Sequence, residues 1–285
     1  MDLQATPSSW DTRIDTLTAK LLNAANPHDH PVAWWRRFLV FGIRQAWVCL
    51  FGGLMVALLL TTHLFYPAGA RLPRYDALTI AAVLIQVALV SLKLESWDEV
   101  KVILLFHVAG TGMEIVKTAT GSWIYPEPSY LHIGHVPLFT GFMYASVGSY
   151  LTRSFRAFDL RFTHHPSLAV TLALSAAIYG NFFLDHFGVD LRYPLMAAVA
   201  FVFRRCWVYF RIGVADHRMP LFVAFVLIAL FIWLAENVGT FSEAWLYPQQ
   251  LNGWTFVGAA KLGSWFLLTI MSYSLVTLVK RPRTP

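Results

Sequence analysis

Apolar runs of about 20 residues alternate with short polar links from residue 46 almost to the end of the chain. An α-helix rises ~1.5 Å per residue, so about 20 apolar residues cross the ~30 Å hydrocarbon layer of a bilayer. The pattern therefore predicts an all-α integral membrane protein with about eight transmembrane helices. The predicted spans are residues 46–65, 77–94, 102–119, 134–151, 168–186, 193–210, 219–238 and 258–279.

The composition agrees with this interpretation. Hydrophobic residues make up 57% of the 285 positions, charged residues make up 13%, and the mean hydropathy is +0.54. Soluble domains carry about 25% charged residues. Residues 46–279 fall almost entirely in the apolar runs and their links, so they are predicted to form a single transmembrane bundle without a soluble catalytic domain. Any chemistry is expected in the bilayer or against it.

Lys and Arg are distributed unevenly among the links. They are frequent before the first run, in alternate links and in the basic tail of residues 280–285, whereas the other links contain only Arg71, Arg74 and Arg192. The positive-inside rule then places both termini in the cytoplasm. Because the charge follows the membrane, the formal net charge of +6 does not indicate a nucleic-acid partner.

Residues 1–45 are predicted to be a cytoplasmic segment with an amphipathic, interfacial helix. An early acid and the lack of an apolar core exclude a signal peptide. Ile14, Leu17 and Leu21 lie roughly on one face of a possible helix, and the Trp-Trp-Arg-Arg stretch at 34–37 is typical of an interfacial anchor.

The chain contains an internal repeat with an offset of 122 residues. The offset aligns Glu114 with Glu236, Trp123 with Trp245, and Tyr125 with Tyr247. It also superimposes the first predicted span on the fifth. Because the offset corresponds to an even number of spans, the halves, residues 46–151 and 168–279, are predicted to be parallel, in a 4+4 arrangement about an axis along the membrane normal.

The two repeated glutamates are the main candidates for chemistry. An ionisable side chain inside a span costs about 2.5–3.5 kcal/mol, so it normally faces the bundle interior and has a partner. His107, Thr111 and Glu114 follow helical spacing and are expected on one face. Glu114, Glu236 and His107 are predicted as catalytic residues. The predicted substrate-binding residues are Lys117, Thr111, Trp123, Tyr125, Asp185, His186, Asn237, Trp245, Tyr247 and Lys261.

Two alternatives stay open for this polar cluster. It forms either structural pairs, such as Glu114 with Lys117 or Lys261, or a polar cavity in which the two carboxylates handle protons or a cationic species. Arg204 and Arg205 also allow two interpretations. Hydropathy makes them an interfacial anchor, whereas the repeat offset puts them inside the membrane, where they would bind an anion.

Known cofactor and metal signatures are not found in the sequence. The histidines are scattered over both faces, so no metal site is predicted. The chain has no Walker loop, nucleophile elbow or dinucleotide fingerprint, which leaves any cofactor unknown. Lys261 would suit a Schiff base by its place in the last span, but nothing else in the sequence supports that role.

Three segments resemble the bacterial integral-membrane family catalogued as domain of unknown function 817: HVAGTGMEIVKTATGSWIYPEP, HIGHVPLFTGFMYASVGSYL and ENVGTFSEAWLYP. The resemblance covers most of the chain and implies a bacterial inner-membrane location. More distantly, Glu114 followed by Thr120–Gly121 and Tyr125 is similar to a pattern of membrane carotenoid hydratases. Paired carboxylates on duplicated helices are similar to those of membrane terpene and lycopene cyclases, although the Pro-x-Glu-Glu acid pair of lycopene cyclases is missing here.

Three functional hypotheses follow. The first is an enzyme in which Glu114 acts as general acid and Glu236 stabilises a cation or removes a proton from a lipid or isoprenoid substrate. The second is a transporter or channel for a small solute or ion. The third is a non-catalytic lipid-binding protein. The expected partners are membrane lipids, and the oligomeric state is left open.

Overall fold

The protein is described by a computed structural model covering residues 9–23, 34–184, 188, 190–213 and 215–285. Within these ranges the chain is mostly helical. The helices are α1 Ser9–Asn23, α2 Trp34–Val48, α3 Leu50–Phe65, α4 Arg74–Ser91, α5 Trp97–Ala119, α6 Phe139–Ala157, α7 Leu168–Leu184, α8 Arg192–Phe203, α9 Leu221–Phe241 and α10 Ala260–Val279.

Each predicted apolar run contains a helix, but fewer helices than eight meet the length and polarity expected of a full span. In the described residues, α4, α5, α9 and α10 are long and apolar enough, and α2 with α3 makes a fifth candidate bent by 72°. Helices α7 and α8 are shorter, with 17 and 12 residues. The structure therefore supports a membrane protein with four or five candidate spans, rather than the eight expected from hydropathy.

The break between α2 and α3 separates two helices of different chemistry. Helix α2 carries three arginines, whereas α3 has no charged residue besides His63. The buried Arg44 of α2 donates to Asp15 of α1 and, at 3.0 Å, to the carbonyl oxygen of Ala157. Because α2 continues to Val48, the predicted boundary at residue 45 falls within a helix.

The fold is mostly but not entirely helical, because short strands follow α5, α6 and α8. Strands β1 His132–Ile133 and β2 Val136–Pro137 pair antiparallel, and β3 Arg161–Thr163, β4 Trp207–Ile212 and β5 Ala215–Pro220 form an antiparallel sheet in the order β3-β4-β5. Gly213 has a left-handed φ of +61° in the tight β4–β5 turn, which suits a hairpin.

The sixth predicted span, residues 193–210, is wrong in its second half. Helix α8 ends at Phe203 and the chain continues as β4. Val208 and Ile212 are buried, whereas Trp207, Tyr209 and Arg211 are partly exposed. This alternation is typical of a strand, and average hydropathy does not distinguish it from the end of a helix.

Close packing of α5 on α6 depends on small residues. A Cβ at Gly110 would lie 2.6 Å from the ring of Tyr144, and a Cβ at Gly141 would lie 2.5 Å from the ring of His107. The glycines thus let aromatic rings of one helix rest on the backbone of the other. This contact places Tyr144 beside the last turns of α5.

Residues at the start of α4 form hydrogen bonds with the two links that follow α5 and α9. Arg74 donates to the carboxylate of Glu127 at 3.0 Å and to the carbonyl oxygen of Ser242 at 2.9 Å. Asp76 accepts backbone N–H bonds from Tyr130 at 2.9 Å and Leu131 at 2.8 Å. These buried charges fix the position of both links relative to the bundle.

Candidate functional site

Glu114 is bonded by aromatic side chains from the link that follows its own helix. Helix α5 ends at Ala119, and Gly121, with a φ of +71°, turns the chain back. Trp123 then donates from Nε1 to Glu114 Oε2 at 2.8 Å, and Tyr125 donates from its hydroxyl to the same oxygen at 2.6 Å. Tyr144 of α6 donates to Oε1 at 2.8 Å. Both oxygens of this buried carboxylate are therefore satisfied by neutral donors.

Glu236 of α9 is held in a similar way. The Tyr247 hydroxyl donates to Oε1, and Trp265 Nε1 of α10 donates to Oε2. Gly239, one turn after the glutamate, gives room to the ring of Trp245, which would lie 2.2 Å from a Cβ at that position. Glu236 and Tyr247 are buried, and Trp265 is partly buried.

The two links contact each other and join the glutamates into one site. Ile124 and Leu246 exchange both backbone hydrogen bonds, each at 2.9 Å, in an antiparallel bridge. The rings of Trp123 and Tyr247 meet edge to face, with 6.1 Å between their centroids. The hydroxyls of Tyr144 and Tyr247 each interact electrostatically with both carboxylates.

Lys261 brings a positive charge to this site from the first turn of α10. Its Nζ atom lies 4.3 Å from the ring centroid of Tyr247 and 5.1 Å from that of Trp123. Cation–π contacts at these distances are stabilising. The ammonium also interacts electrostatically with Glu114 and Glu236.

A cavity of about 810 Å³ begins at this site and runs into the bundle. We call the end lined by Glu114, Glu236 and Lys261 the carboxylate end. The other end, which we call the hairpin end, is lined by Phe162 of β3, Val208 and Phe210 of β4, and Met219 of β5. Between them the wall is mainly apolar, with a few hydroxyl and amide groups. These include Gln45, Ser146, Tyr150, Ser154 and Tyr273.

The structure brings together seven of the predicted site residues. All seven line the carboxylate end of the cavity. They are Glu114, Glu236, Trp123, Tyr125, Trp245, Tyr247 and Lys261.

Four other predicted site residues do not line the cavity. The imidazole of His107 packs on the backbone of Gly141 and does not line the cavity, so its catalytic role stays a prediction without support from this contact. Asn237 donates to the carbonyl oxygen of Trp233 at 2.8 Å and accepts from the backbone N–H of Val257 at 2.9 Å, which ties the following link to α9. Helical spacing places residues on one face but does not tell which neighbour covers it.

Lys117 and Thr111 are also outside the cavity wall. Lys117 is buried, and its Nζ atom lies 4.8 Å from the ring centroid of Phe182, which does line the cavity. Thr111 is partly buried on α5. Substrate binding by these two residues stays a prediction.

Arg204 and Arg205 are exposed in the turn after α8, a position that suits the interfacial anchor, and their binding of an anion stays a prediction. The Arg204 guanidinium packs 4.0 Å from the ring centroid of Phe201. The remaining predicted ligands, Asp185 and His186, lie outside the described residues.

Two donors to the carboxylates were not predicted. Tyr144 lies on α6, the helix after the one that carries Glu114. Trp265 lies on α10, the helix after the one that carries Glu236. The repeat offset aligns Tyr144 with Phe266 rather than with Trp265, so the duplication gave no identical pair to notice. The sequence indicated these donors only by a Tyr or Trp within an apolar run. Such a residue is equally common in ordinary helix packing.

A second buried group of charges was also not predicted, and we call Glu95, Glu99, Arg153 and Arg156 the charge cluster. Arg156 forms ion pairs with Glu99 at 3.0 Å and with Asp11 of α1 at 3.1 Å. Ser149 donates to Glu95 at 2.7 Å. Arg153 is buried, and its guanidinium lies 5.0 Å from the ring centroid of Trp47. None of the four lines the cavity.

Metal ligands are not assembled in the part of the chain that the structure describes. No three His, Cys, Asp or Glu side chains there lie close enough to hold an ion. The chemistry available at the carboxylate end is therefore that of two carboxylates, one amine and several aromatic hydroxyl and indole groups.

Comparison with known proteins finds relatives over most of the chain. The Bacillus subtilis protein called uncharacterized protein YoaT is 44% identical over 246 residues, which are 86% of this chain and 92% of that protein. Two crystal structures of the mycobacterial Insig homologue MvINS, one of them a cross-linked trimer and the other described as from Mycobacterium vanbaalenii, are 17% and 16% identical. Each comparison covers 66% of this chain and 98% of the other, with a TM-score of 0.47.

A family comparison matches residues 37–273, which include every element from α3 to α9 and the carboxylate end of the cavity. The extent of this match confirms the resemblance seen in the repeated Glu-to-Pro segments. The chain therefore belongs to the membrane-protein family described as protein of unknown function (DUF817).

Proposed function

We propose that this protein binds one elongated apolar molecule, a lipid or an isoprenoid, with its polar group at the carboxylate end. The observation that carries this proposal is the cavity of about 810 Å³ that joins two buried carboxylates to a long apolar wall. Ligand cavities in proteins are typically ~300–1,000 Å³ and mainly apolar, with a few polar groups that orient the ligand.

The shape of the wall favours a long ligand. Helix α9 lines the cavity from Leu221 to Glu236, a distance of about 22 Å at ~1.5 Å per residue. Over this length the lining residues of α9 before Glu236 are all apolar. Burying hydrocarbon against such a wall contributes about 25 cal/mol for each Å² removed from water.

The charged residues that line the cavity are at one end, which favours binding over conduction. A charged solute moving from Glu114 and Glu236 towards Phe210 would meet mostly apolar side chains. Desolvating an ion there without partners is costly. The transport hypothesis therefore receives less support than a site that holds an amphipathic molecule in one orientation.

Acid–base chemistry on the bound molecule is a second candidate function. It is favoured by the direct hydrogen bonds of the Tyr125 and Tyr144 hydroxyls to Glu114, because such a chain can deliver or remove a proton next to the cavity. In this proposal Glu114 acts as general acid, and Glu236 stabilises the developing positive charge or removes a proton from the product.

We further propose that the bundle is built from two parallel repeats. Helices α5 and α9 end at Ala119 and Phe241, which are 122 residues apart, and α6 and α10 end at Ala157 and Val279 with the same separation. The bridge between the links joins Ile124 to Leu246, again 122 residues apart. Gly121 and Glu243 share this offset and both have left-handed φ values, +71° and +55°. Such matches are expected from a duplication with local two-fold symmetry.

We also propose a bacterial inner-membrane location with cytoplasmic N- and C-termini, and the charge distribution supports this orientation. Lys and Arg concentrate at the α1–α2 segment, near the β4–β5 hairpin and after α10. Under this topology the carboxylate end faces the outer leaflet, and the hairpin end faces the cytoplasm.

Native mass spectrometry with lipid extraction tests the proposed function. The wild-type protein is compared with a Glu114→Gln/Glu236→Gln double variant and with a Lys101→Gln control, in which an exposed side chain is changed. We expect a stoichiometric apolar molecule in the wild type and the control, and its loss or chemical alteration in the double variant. If all three carry only bulk phospholipid, the proposed function is wrong.

A further inference from the structure

Lys261 is placed to react with a molecule in the cavity. Its ammonium projects from the first turn of α10 into the carboxylate end, and among the described residues that line the cavity it is the one amine. A partly buried amine next to apolar surface is a common nucleophile towards carbonyl groups. The molecule proposed to fill the cavity would end beside this nitrogen.

The surroundings of Lys261 stabilise a positive charge at this nitrogen. Two carboxylates, Glu114 and Glu236, interact with it electrostatically. The rings of Trp123 and Tyr247 lie 5.1 and 4.3 Å from Nζ and present their π-systems to it. A protonated imine carries its positive charge on the same nitrogen, so these groups would stabilise it in the same way.

The apolar wall would protect such an imine. Imines are hydrolysed by water, and a cavity lined mainly by hydrocarbon excludes water from the bond. A carbonyl compound that fits this wall must itself be long and apolar. The lysine, the neighbouring carboxylates and the apolar wall therefore all favour the same ligand class, a long apolar carbonyl compound.

We propose that Lys261 forms a protonated Schiff base with a long apolar aldehyde held in the cavity. This inference rests on the proposed function, because it requires that the cavity accepts an elongated apolar molecule. It goes further in naming a covalent attachment and the functional group that the ligand carries.

The reaction needs no oxidant or reductant. The Lys261 ammonium passes a proton to Glu114 or Glu236, and the free amine adds to the aldehyde carbon to form a carbinolamine. Return of the proton to the oxygen expels water as the carbon–nitrogen double bond forms. The products are one iminium and one water molecule, so atoms and charge balance with the starting ammonium and aldehyde.

Trapping with all-trans-retinal, used as a chromophoric aldehyde probe, tests the inference. The full-length protein is mixed with less than one equivalent of the aldehyde and reduced with sodium borohydride, and its peptides are mapped by mass spectrometry. We expect a reduced adduct on Lys261 and a shift of the aldehyde absorbance to longer wavelength before reduction. Lys261→Arg, which keeps the charge but cannot form an imine, should lose both signals.

Lys101→Arg serves as the matched control, because Lys101 is exposed and lies outside the cavity. It should keep the full adduct at Lys261. The inference is overturned if adducts are spread over exposed lysines, or if the wild type forms none while holding the aldehyde or a native apolar molecule non-covalently. That last result leaves the proposed function intact, whereas a wild type that holds no apolar molecule at all contradicts both.

Discussion

Buried carboxylates occur at both ends of α5, and the two groups are satisfied differently. At the start of the helix, Glu99 pairs with the guanidinium of Arg156 at 3.0 Å. At the far end, Glu114 accepts hydrogen bonds from Trp123, Tyr125 and Tyr144, all of which are neutral. The first group lies outside the cavity wall, whereas the second group forms part of it.

This difference distinguishes a carboxylate that is paired within the protein from carboxylates that face a cavity. Glu99 also completes the capping box of α5 with Ser96, so its hydrogen-bonding capacity serves the helix and the bundle. Glu114 and Glu236 accept hydrogen bonds from neutral donors and line the cavity together with Lys261. A buried glutamate alone is thus a poor indicator of a site, and a buried glutamate beside a ligand-sized cavity is a better one.

The largest effect is expected from breaking the charge cluster. Arg156→Gln removes the guanidinium that pairs with both Glu99 and Asp11, so each of these carboxylates loses an ion pair. Loss of one member of a buried ion pair typically costs about 3–5 kcal/mol of unfolding free energy. Chemical denaturation in detergent would measure it. Lys101→Gln, which breaks an exposed pair with Asp98, should cost no more than ~1 kcal/mol. Equal losses for the two variants would contradict the distinction.

A smaller loss is expected at the carboxylate end from crowding the ring of Trp245. The Cβ added by Gly239→Ala would lie 2.2 Å from that ring, and overpacking of this kind costs about 1–3 kcal/mol. Because Trp245 lines the cavity, ligand retention should fall as well. Gly180→Ala on α7 is the control, since nothing lies within 4 Å of its Cβ. The two variants are compared by thermal unfolding and by the amount of bound apolar molecule.

The two glutamates should respond unequally to loss of a tyrosine hydroxyl. Tyr247→Phe leaves Glu236 with the indole of Trp265, whereas Tyr125→Phe leaves Glu114 with two donors. Losing a hydrogen bond to a charged group costs about 1.5–3 kcal/mol. We expect Tyr247→Phe to be near the upper end of that range and Tyr125→Phe near the lower end, by chemical denaturation. The reverse order would show that the donors do not act as the structure indicates.

The smallest effect is a pH dependence from the charge cluster. Burial raises the pKa of Glu95 above its ordinary value of 4.5, and the nearby charge of Glu99 adds to this, although hydrogen bonds from Ser149 and Gln86 oppose the shift. The folded state thus favours protonated Glu95, so this contribution to stability is full below pH 4.5 and is lost as the pH rises through the raised pKa.

Glu95→Gln should flatten this part of the stability profile, measured by thermal unfolding at a series of pH values. Asp190→Asn, at a partly exposed carboxylate paired with Arg192, should leave the slope as it is in the wild type. A wild-type profile that rises over the same interval, and is unchanged in Glu95→Gln, would show that the carboxyl is not destabilised by burial.

The carboxylate end was predictable from the sequence because the repeat marks it. Glu114 and Glu236 stand at matching positions in apolar runs, and each is followed by the same Trp-x-Tyr-Pro motif. The motif lies close enough in the chain to fold back onto its own helix, so local spacing was sufficient. The assignment of Trp123, Tyr125, Trp245 and Tyr247 to the cavity wall followed from this.

The charge cluster and the β4–β5 hairpin were not predictable in the same way. Arg156 of α6 meets Asp11 of α1 and Glu99 of α5 only through tertiary packing, and no local pattern reports contacts so distant in the chain. The hairpin was hidden because Trp207–Ile212 is apolar on average and continues a helical run. The position of His107 outside the cavity was not predictable for a related reason, since the side of α5 that it occupies is covered by α6.

The most direct test of the central claim is an electron cryo-microscopy map of the purified protein in lipid nanodiscs. We expect one elongated density inside the bundle, running from Glu114 and Glu236 towards Phe210, with its polar end beside the carboxylates. A cavity collapsed onto itself, or filled by the protein's own side chains between these residues, would contradict the claim that this family member holds an apolar ligand there.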